Sequence, residues 1–150
     1  MATPATIRVG VIGTGHLGSL HAKLWKEVET AALAGVFDAD PARAAQAARD
    51  TKTKAYPSVA ALLADVDAVS VTLPDHWHGI AAVCAARAGK DIYGEKPLAH
   101  NFSEGLASCE TVRKYGRIWQ TGSWQRSREN FRRACELVRN GRIGKVRRIE

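Results

Sequence analysis

Three short stretches of this chain carry residue types whose spacing could do chemistry. Residues 94 to 99 read GEKPLA, directly after the apolar run Asp91-Ile92-Tyr93, so a carboxylate, an ammonium and a proline close what reads as a buried strand. Glu95 and Lys96 are costly to bury, and Pro97 removes a backbone donor while holding Lys96 extended. Charges at such a strand end imply a ligand that uses them. Residues 13 to 18 read GTGHLG, a G-x-G-x-x-G spacing, and residues 74 to 78 read PDHWH.

The glycine spacing has a mechanism. Gly13 permits a tight turn, Gly15 lets backbone approach a pyrophosphate, and Gly18 allows a helix to pack closely on a strand, with the helix N-terminus facing the anion. Six residues alone are a weak signal, but here a strand precedes them, a helix follows, and the next strand, ALAGVFD, closes on Asp38, twenty residues after Gly18. An acid there suits a ribose 2′-hydroxyl; its alternative is a turn residue ahead of Asp40-Pro41. A 2′-phosphate would meet a like charge, about 4 kcal/mol of repulsion at ~4 Å and an effective dielectric near 20. No arginine stands at 39 or 40, and Arg43 lies within the next helix. NAD is therefore expected over NADP.

The elements that must position these residues alternate along the chain. Apolar stretches TIRVGVIG, ALAGVFD, KAY, DAVSVTL, DIYGE and RIWQTG are followed by helical patterns over 16–28, 41–50, 58–64, 77–88, 103–115 and 127–140. Near-continuous Val/Ile/Leu strands in a βαβα rhythm specify an α/β fold, a doubly wound parallel sheet covered on both faces; for a Rossmann dinucleotide-binding domain the order 3-2-1-4-5-6 is expected. Ser58 and Ser103 are expected as N-caps, Pro41 as a first helical residue, and Gly89 and Gly141 as helix stops. The last helix sets Phe131, Ala134, Cys135, Leu137 and Val138 against arginines, and NGRIGKVRRIE then leads into an expected strand.

Composition narrows the classes. The chain has 150 residues, 45% hydrophobic and 25% charged, ordinary values for a globular domain with a real core. No apolar run approaches the roughly 18 residues of a spanning helix, and Met1 to Thr6 lack the pattern of a signal peptide. A cytoplasmic protein is expected. Cys84, Cys109 and Cys135 form no C-x-x-C and are expected to be small buried apolar residues. The net charge of +7 arises in the last quarter, where residues 113–150 hold 12 Lys+Arg against 3 Asp+Glu. Those arginines are interleaved with the apolar positions of a helix and accompany no nucleic-acid motif, so no nucleic-acid partner is expected. His76 and His78 diverge on a helix and lack a third ligand at suggestive spacing, so no metal is expected.

Together, GTGHLG, Asp38, PDHWH and GEKPLA, in this order and spacing, resemble the glucose-fructose oxidoreductase, inositol dehydrogenase and rhizopine-catabolism family (Gfo/Idh/MocA). The resemblance spans essentially all 150 residues. It implies a Rossmann NAD(P)-binding domain over 1–125, then a crossover helix and the first strand of an otherwise missing α+β substrate domain over 126–150. The activity implied is NAD-dependent oxidation or reduction of a sugar, polyol or sugar derivative, in a homo-oligomer. Family relatives also include NAD-dependent glycosidases, and a non-catalytic NAD-binding module is the third reading. Residue by residue, Lys96 matches the active-site lysine, near nicotinamide and substrate hydroxyl, with Glu95 and Pro97 fixing its strand end and a cis Lys96–Pro97 bond expected. The cofactor would be held by Gly13, Thr14, Gly15, His16, Leu17, Gly18 and Asp38. The backbone of Leu73 and Pro74 would line its nicotinamide ribose, His78 matches the family histidine, and His76 joins them among the cofactor-binding residues, although Asp75 replaces the commoner asparagine. Gln120, Trp124, Gln125 and Arg126 fall where relatives bring side chains toward nicotinamide and substrate.

Overall fold

Every strand in this chain pairs in parallel with its neighbours, because each is followed by a helix that carries the chain back across the sheet. The computed structural model describes residues 6–149. Its elements are β1 (Ile7–Ile12), α1 (His16–Trp25), β2 (Ala31–Phe37), α2 (Pro41–Thr51), β3 (Lys54–Ala55), α3 (Val59–Asp65) and β4 (Ala68–Val71). Then come α4 (Asp75–Arg87), β5 (Asp91–Glu95), α5 (Phe102–Lys114), β6 (Trp119–Gly122), a 3₁₀ turn (Trp124–Ser127) and α6 (Glu129–Arg139). The six strands lie in the order β3-β2-β1-β4-β5-β6, as expected of a Rossmann dinucleotide-binding domain.

The alternation of side chains along each strand divides the core between the two faces. Ile12, Val69, Val71 and Ile92 pack with Leu62, Ala82, Ala85 and Ala86 of α3 and α4, while Val11 and Val36 pack with Ala22 of α1 and with Ala47 and Ala48 of α2. Alanines at the helix contacts let α4 and α2 lie close on the sheet. Local signals set the helix ends: Asp40 caps α2 through Ala42 N–H, Ser58 caps α3 through Ala61 N–H, and Gly89 and Gly141 follow α4 and α6 at positive φ.

Three expectations differ from the structure. α5 begins one residue early, because Asn101 rather than Ser103 accepts from the Glu104 N–H, while Glu104 Oε1 accepts from the Asn101 amide. Cys84, Cys109 and Cys135 are exposed; α6, which carries Cys135, buries none of its residues. The strand expected after Gly144 is not formed among the described residues, because residues 144–149 have no ladder beside them; Glu150 lies outside the described residues.

Candidate nucleotide-binding and catalytic site

The glycine loop leaves β1 at its carboxyl end and is tied down from two sides. Gly13 has φ +91, and its N–H donates to Phe37 C=O of β2 at 2.8 Å; its own C=O accepts from Thr72 Oγ1, beyond β4, at 2.7 Å. A Cβ on Gly18 would stand 1.9 Å from Gly13 O, so only glycine permits this approach of α1 to the loop. Gly15 differs: a Cβ there would meet nothing within 4 Å. It is the N-cap of α1 and supplies no side-chain acceptor to the first-turn N–H groups. Bare backbone donors at a helix N-terminus with open space in front suit an anionic diphosphate. The cleft there, about 540 Å³, is lined by Thr14, Gly15, His16, Ser19, Lys23 and Arg43 among others.

Asp38 follows β2 and turns back toward the loop. Its Oδ2 accepts from Thr14 N–H at 2.6 Å and from the Thr14 hydroxyl at 3.0 Å, and its Oδ1 accepts from Asp40 N–H at 2.9 Å. Burial alone would raise its pKa, but the hydrogen bonds from Asp40 and Thr14, helped by the Arg43 charge, outweigh burial and hold it below the usual carboxylate value. Asp38 therefore stays an anion beside the glycine loop while serving as the acceptor of the turn. Arg43, within α2, lines the same cleft and reaches Asp40 at 3.4 Å.

Beyond β4 and β5 lie the other candidates. Leu73 and Pro74 form the turn into α4, and His76 is exposed on its first turn beside Trp77. His78 is buried, with Nδ1 2.6 Å from Pro97 C=O and Nε2 2.8 Å from Leu73 C=O. Both ring nitrogens thus face backbone, and His78 braces the two strand-end turns from behind. The Lys96–Pro97 bond is cis, as expected. Lys96 is exposed and makes no hydrogen bond or ion pair with any described residue, whereas Glu95 is 4% exposed. Gln120, Gln125 and Arg126 are exposed, with Gln125 and Arg126 on the 3₁₀ turn and Gln120 in β6; Trp124 carries the Arg128 guanidinium 5.1 Å from its ring centre. The structure thus gathers Gly13–Gly18, Asp38, Leu73, Pro74 and Glu95–Pro97 at the carboxyl edge of the sheet, and holds His78 behind that lining.

Two cleft residues escape the motif reading. Lys23, about two turns into α1, adds a cation to the loop cleft. His21 sits at helical spacing beside the buried Gly18 and Ala22 and the partly buried Trp25, and a lone polar residue on such a stripe was the available signal. Its Nε2 is 3.2 Å from Glu95 Oε1, and its Nδ1 is 2.9 Å from Ser70 Oγ. The Ser-His-Glu sequence of contacts resembles a nucleophilic triad, but Ser70 is 0% exposed in the middle of β4, where no substrate reaches it.

Burial lowers the His21 pKa below its ordinary 6.5, and the neighbouring Glu95 charge only partly opposes that. On acidification the unfolded chain takes up this proton first, so the His21 contribution to stability is complete above pH 6.5 and is lost as pH falls toward the folded value. Asp38, Asp65 and Asp67 are also lowered, but from 3.8, and act in a separate, more acid window. Melting temperatures between about pH 7.5 and 5 should therefore fall more steeply for the wild-type chain than for His21→Gln. Parallel curves would contradict a buried neutral imidazole.

A parallel 3-2-1-4-5-6 sheet whose first strand opens through a glycine loop onto a bare helix N-terminus, with an acid closing the second strand, defines a dinucleotide-binding domain. The chain belongs to the Gfo/Idh/MocA oxidoreductase family, with its NAD-binding Rossmann fold, whose family profile matches residues 7–123. It is 45% identical over 101 residues to UDP-N-acetylglucosamine 3-dehydrogenase of Acidithiobacillus ferrooxidans, covering 67% of this chain and 32% of that protein. To inositol 2-dehydrogenase 3 of Saccharopolyspora erythraea it is 39% identical over 143 residues, covering 93% of this chain and 42% of the relative. The solved myo-inositol 2-dehydrogenase of Lactobacillus plantarum superposes with a TM-score of 0.85 at 26% identity, over 94% of this chain and 43% of that one. The chain therefore spans less than half the length of these relatives. No helix among the described residues is long and apolar enough to cross a membrane, and no cluster of His, Cys, Asp and Glu among them is arranged to hold a metal.

Proposed function

We propose that this chain is the nucleotide-binding part of an NAD-dependent oxidoreductase that acts on a CH–OH group of a sugar, polyol or sugar derivative. The observation that carries the reading is Lys96: an unpaired cation at the carboxyl end of β5, on the same sheet edge as the open glycine loop. The named activities of the relatives, on inositols and on UDP-N-acetylglucosamine, support the substrate class. When bound, NAD supplies the hydride acceptor. The backbone donors from Gly15 onward hold its diphosphate, Asp38 accepts from its ribose, and the Lys96 ammonium polarises the reacting substrate oxygen. Residues 1–125 form the nucleotide domain in this reading and 126–150 cross to a substrate domain that supplies specificity and the proton acceptor. The apolar positions Phe131, Leu137 and Val138 of α6, each more than 40% exposed, support a further layer over that helix. The whole enzyme is read as a cytoplasmic homo-oligomer.

Titration of the chain with NAD and NADP, followed by tryptophan fluorescence, tests the reading. NAD is expected to bind below millimolar concentration and at least about tenfold tighter than NADP, a difference of about 1.4 kcal/mol that a like charge beside a 2′-phosphate readily supplies. Asp38→Ala is expected to cut that preference below about threefold and to lower stability by ~1 kcal/mol, since Thr14 N–H and Asp40 N–H lose their acceptor. An unchanged preference would remove Asp38 from the ribose site.

A further inference from the structure

Lys96 stands between two histidines, the buried His78 and the partly buried His21, one on each face of the sheet. On the α4 face, His78 holds the carbonyl of Pro97, one residue after the lysine. On the α1 face, His21 reaches the carboxylate of Glu95, one residue before it. The His21 side chain is 11% exposed and the Glu95 side chain 5%, so neither contact competes with bulk water. Strand alternation sends Tyr93 and Glu95 to the α1 face, where the His21 ring lies 5.7 Å from that of Tyr93. On the opposite face Gly94 accepts the Trp119 ring, whereas on the α1 face a Cβ on Gly122, the β6 residue paired with Glu95, would fall 2.5 Å from Glu95 Oε1. The carboxylate is thus fenced by a glycine on the β6 side and by a histidine on the α1 side. Its second oxygen, Oε2, is buried with no hydrogen-bond partner among the described residues, so the contact with His21 carries more weight than one bond in a saturated network.

The direction of the bonds follows from chemistry. An ionised carboxylate only accepts, so His21 Nε2 carries the hydrogen that faces Glu95. In the neutral ring Nδ1 is then an acceptor, and the Ser70 hydroxyl, 2.9 Å away, donates to it. The lowered proton affinity of the buried ring agrees with this neutral form.

We propose that His21 and Ser70 are positioning residues for the nicotinamide end of the site: the chain Ser70 Oγ–H to His21 Nδ1, His21 Nε2–H to Glu95 fixes the strand end from which Lys96 projects. The proposal rests on the cofactor reading above and adds to it that the nicotinamide half of the cleft, and not the adenosine half, depends on α1 through His21. Neither residue lines the loop cleft that would hold the cofactor diphosphate.

The chain can be tested with two ligands that share the adenosine and diphosphate but differ at the nicotinamide, ADP-ribose and NADH. His21→Ala is expected to weaken NADH about tenfold and ADP-ribose less than twofold. Ser70→Ala, which removes one hydroxyl and perturbs packing less, is expected to weaken NADH about threefold. His21→Gln, whose amide nitrogen can occupy the Nε2 position, is expected to return NADH to within about threefold of wild type. Long-range ¹H–¹⁵N spectra of the histidines at neutral pH should report His21 as the Nε2–H tautomer. A proton on Nδ1, or equal losses of ADP-ribose and NADH in His21→Ala and Ser70→Ala, would overturn the proposal while leaving the cofactor reading intact. A wild-type chain that binds neither ligand would overturn the cofactor reading and the proposal with it.

Discussion

Replacing Lys96 with methionine is expected to lower kcat/KM of the intact enzyme toward its sugar or polyol by about 10²- to 10³-fold, the loss seen when one preorganised donor to a developing oxyanion is removed. The argument starts from what Lys96 does not do. It is exposed and has no hydrogen bond or ion pair with any described residue, so its removal leaves no buried partner unsatisfied and stability should change by less than about 0.5 kcal/mol. Methionine keeps the unbranched stem and removes only the cation. The loss should fall on kcat as much as on kcat/KM, since a charge aimed at the reacting oxygen acts most strongly as that oxygen becomes anionic. Lys96→Arg should recover little, because a planar fork does not replace a point charge at a fixed strand end. A variant with unchanged kcat and raised KM would make Lys96 a substrate-binding group instead. Affinity for NADH, measured on the same variant, should change by about threefold or less, which separates loss of chemistry from loss of cofactor.

The parts of this site that were legible in the sequence are those that local backbone chemistry dictates. Gly13 and Gly18 are required by a turn and by a helix-to-loop approach, each within a few residues, so the spacing alone identifies them. The parallel sheet follows from the apolar runs and the helices between them, and its order from the glycine loop that marks a dinucleotide-binding domain. The His78 clamp and the His21–Glu95 contact are different in kind. Each joins residues far apart in the chain, 19 positions for His78 and Pro97 and further for His21 and Glu95, and no local pattern encodes such a meeting. The resemblance matches His78 to the family histidine and so places it with the cofactor residues. Its two flanking carbonyls show what sequence spacing could not, that both nitrogens face backbone. The cysteines were misjudged for a similar reason: residue type favours burial, but the helix face on which each falls is set by neighbours on other elements. Asn101 displaced Ser103 as the α5 cap because a reciprocal pair with Glu104, three residues on, satisfies both side chains at once.

Alanine at Gly15 and alanine at Gly18 are expected to abolish the same binding by different routes. At Gly18 the new Cβ would meet Gly13 O at 1.9 Å and Thr72 Oγ1 at 2.6 Å, and the first of these is backbone that cannot rotate away. The loop must shift, with a stability loss of about 1–3 kcal/mol and NAD binding weakened by more than about 100-fold. Gly15 has φ −62, an ordinary value for any residue, and a Cβ there meets nothing in the protein. Gly15→Ala should therefore leave the melting temperature unchanged or slightly higher, by the equivalent of about 0.4–1 kcal/mol through the lost freedom of the unfolded chain. Yet its methyl group would occupy the space through which a diphosphate reaches the α1 N-terminus, and NAD affinity should fall by roughly 10²-fold. Calorimetric melting and NAD titration on the two variants separate the cases. Stability and binding fall together at Gly18, whereas at Gly15 binding falls alone. A stable Gly15→Ala chain that binds NAD as tightly as wild type would show that the diphosphate does not approach this loop, and would reassign the open cleft in front of α1.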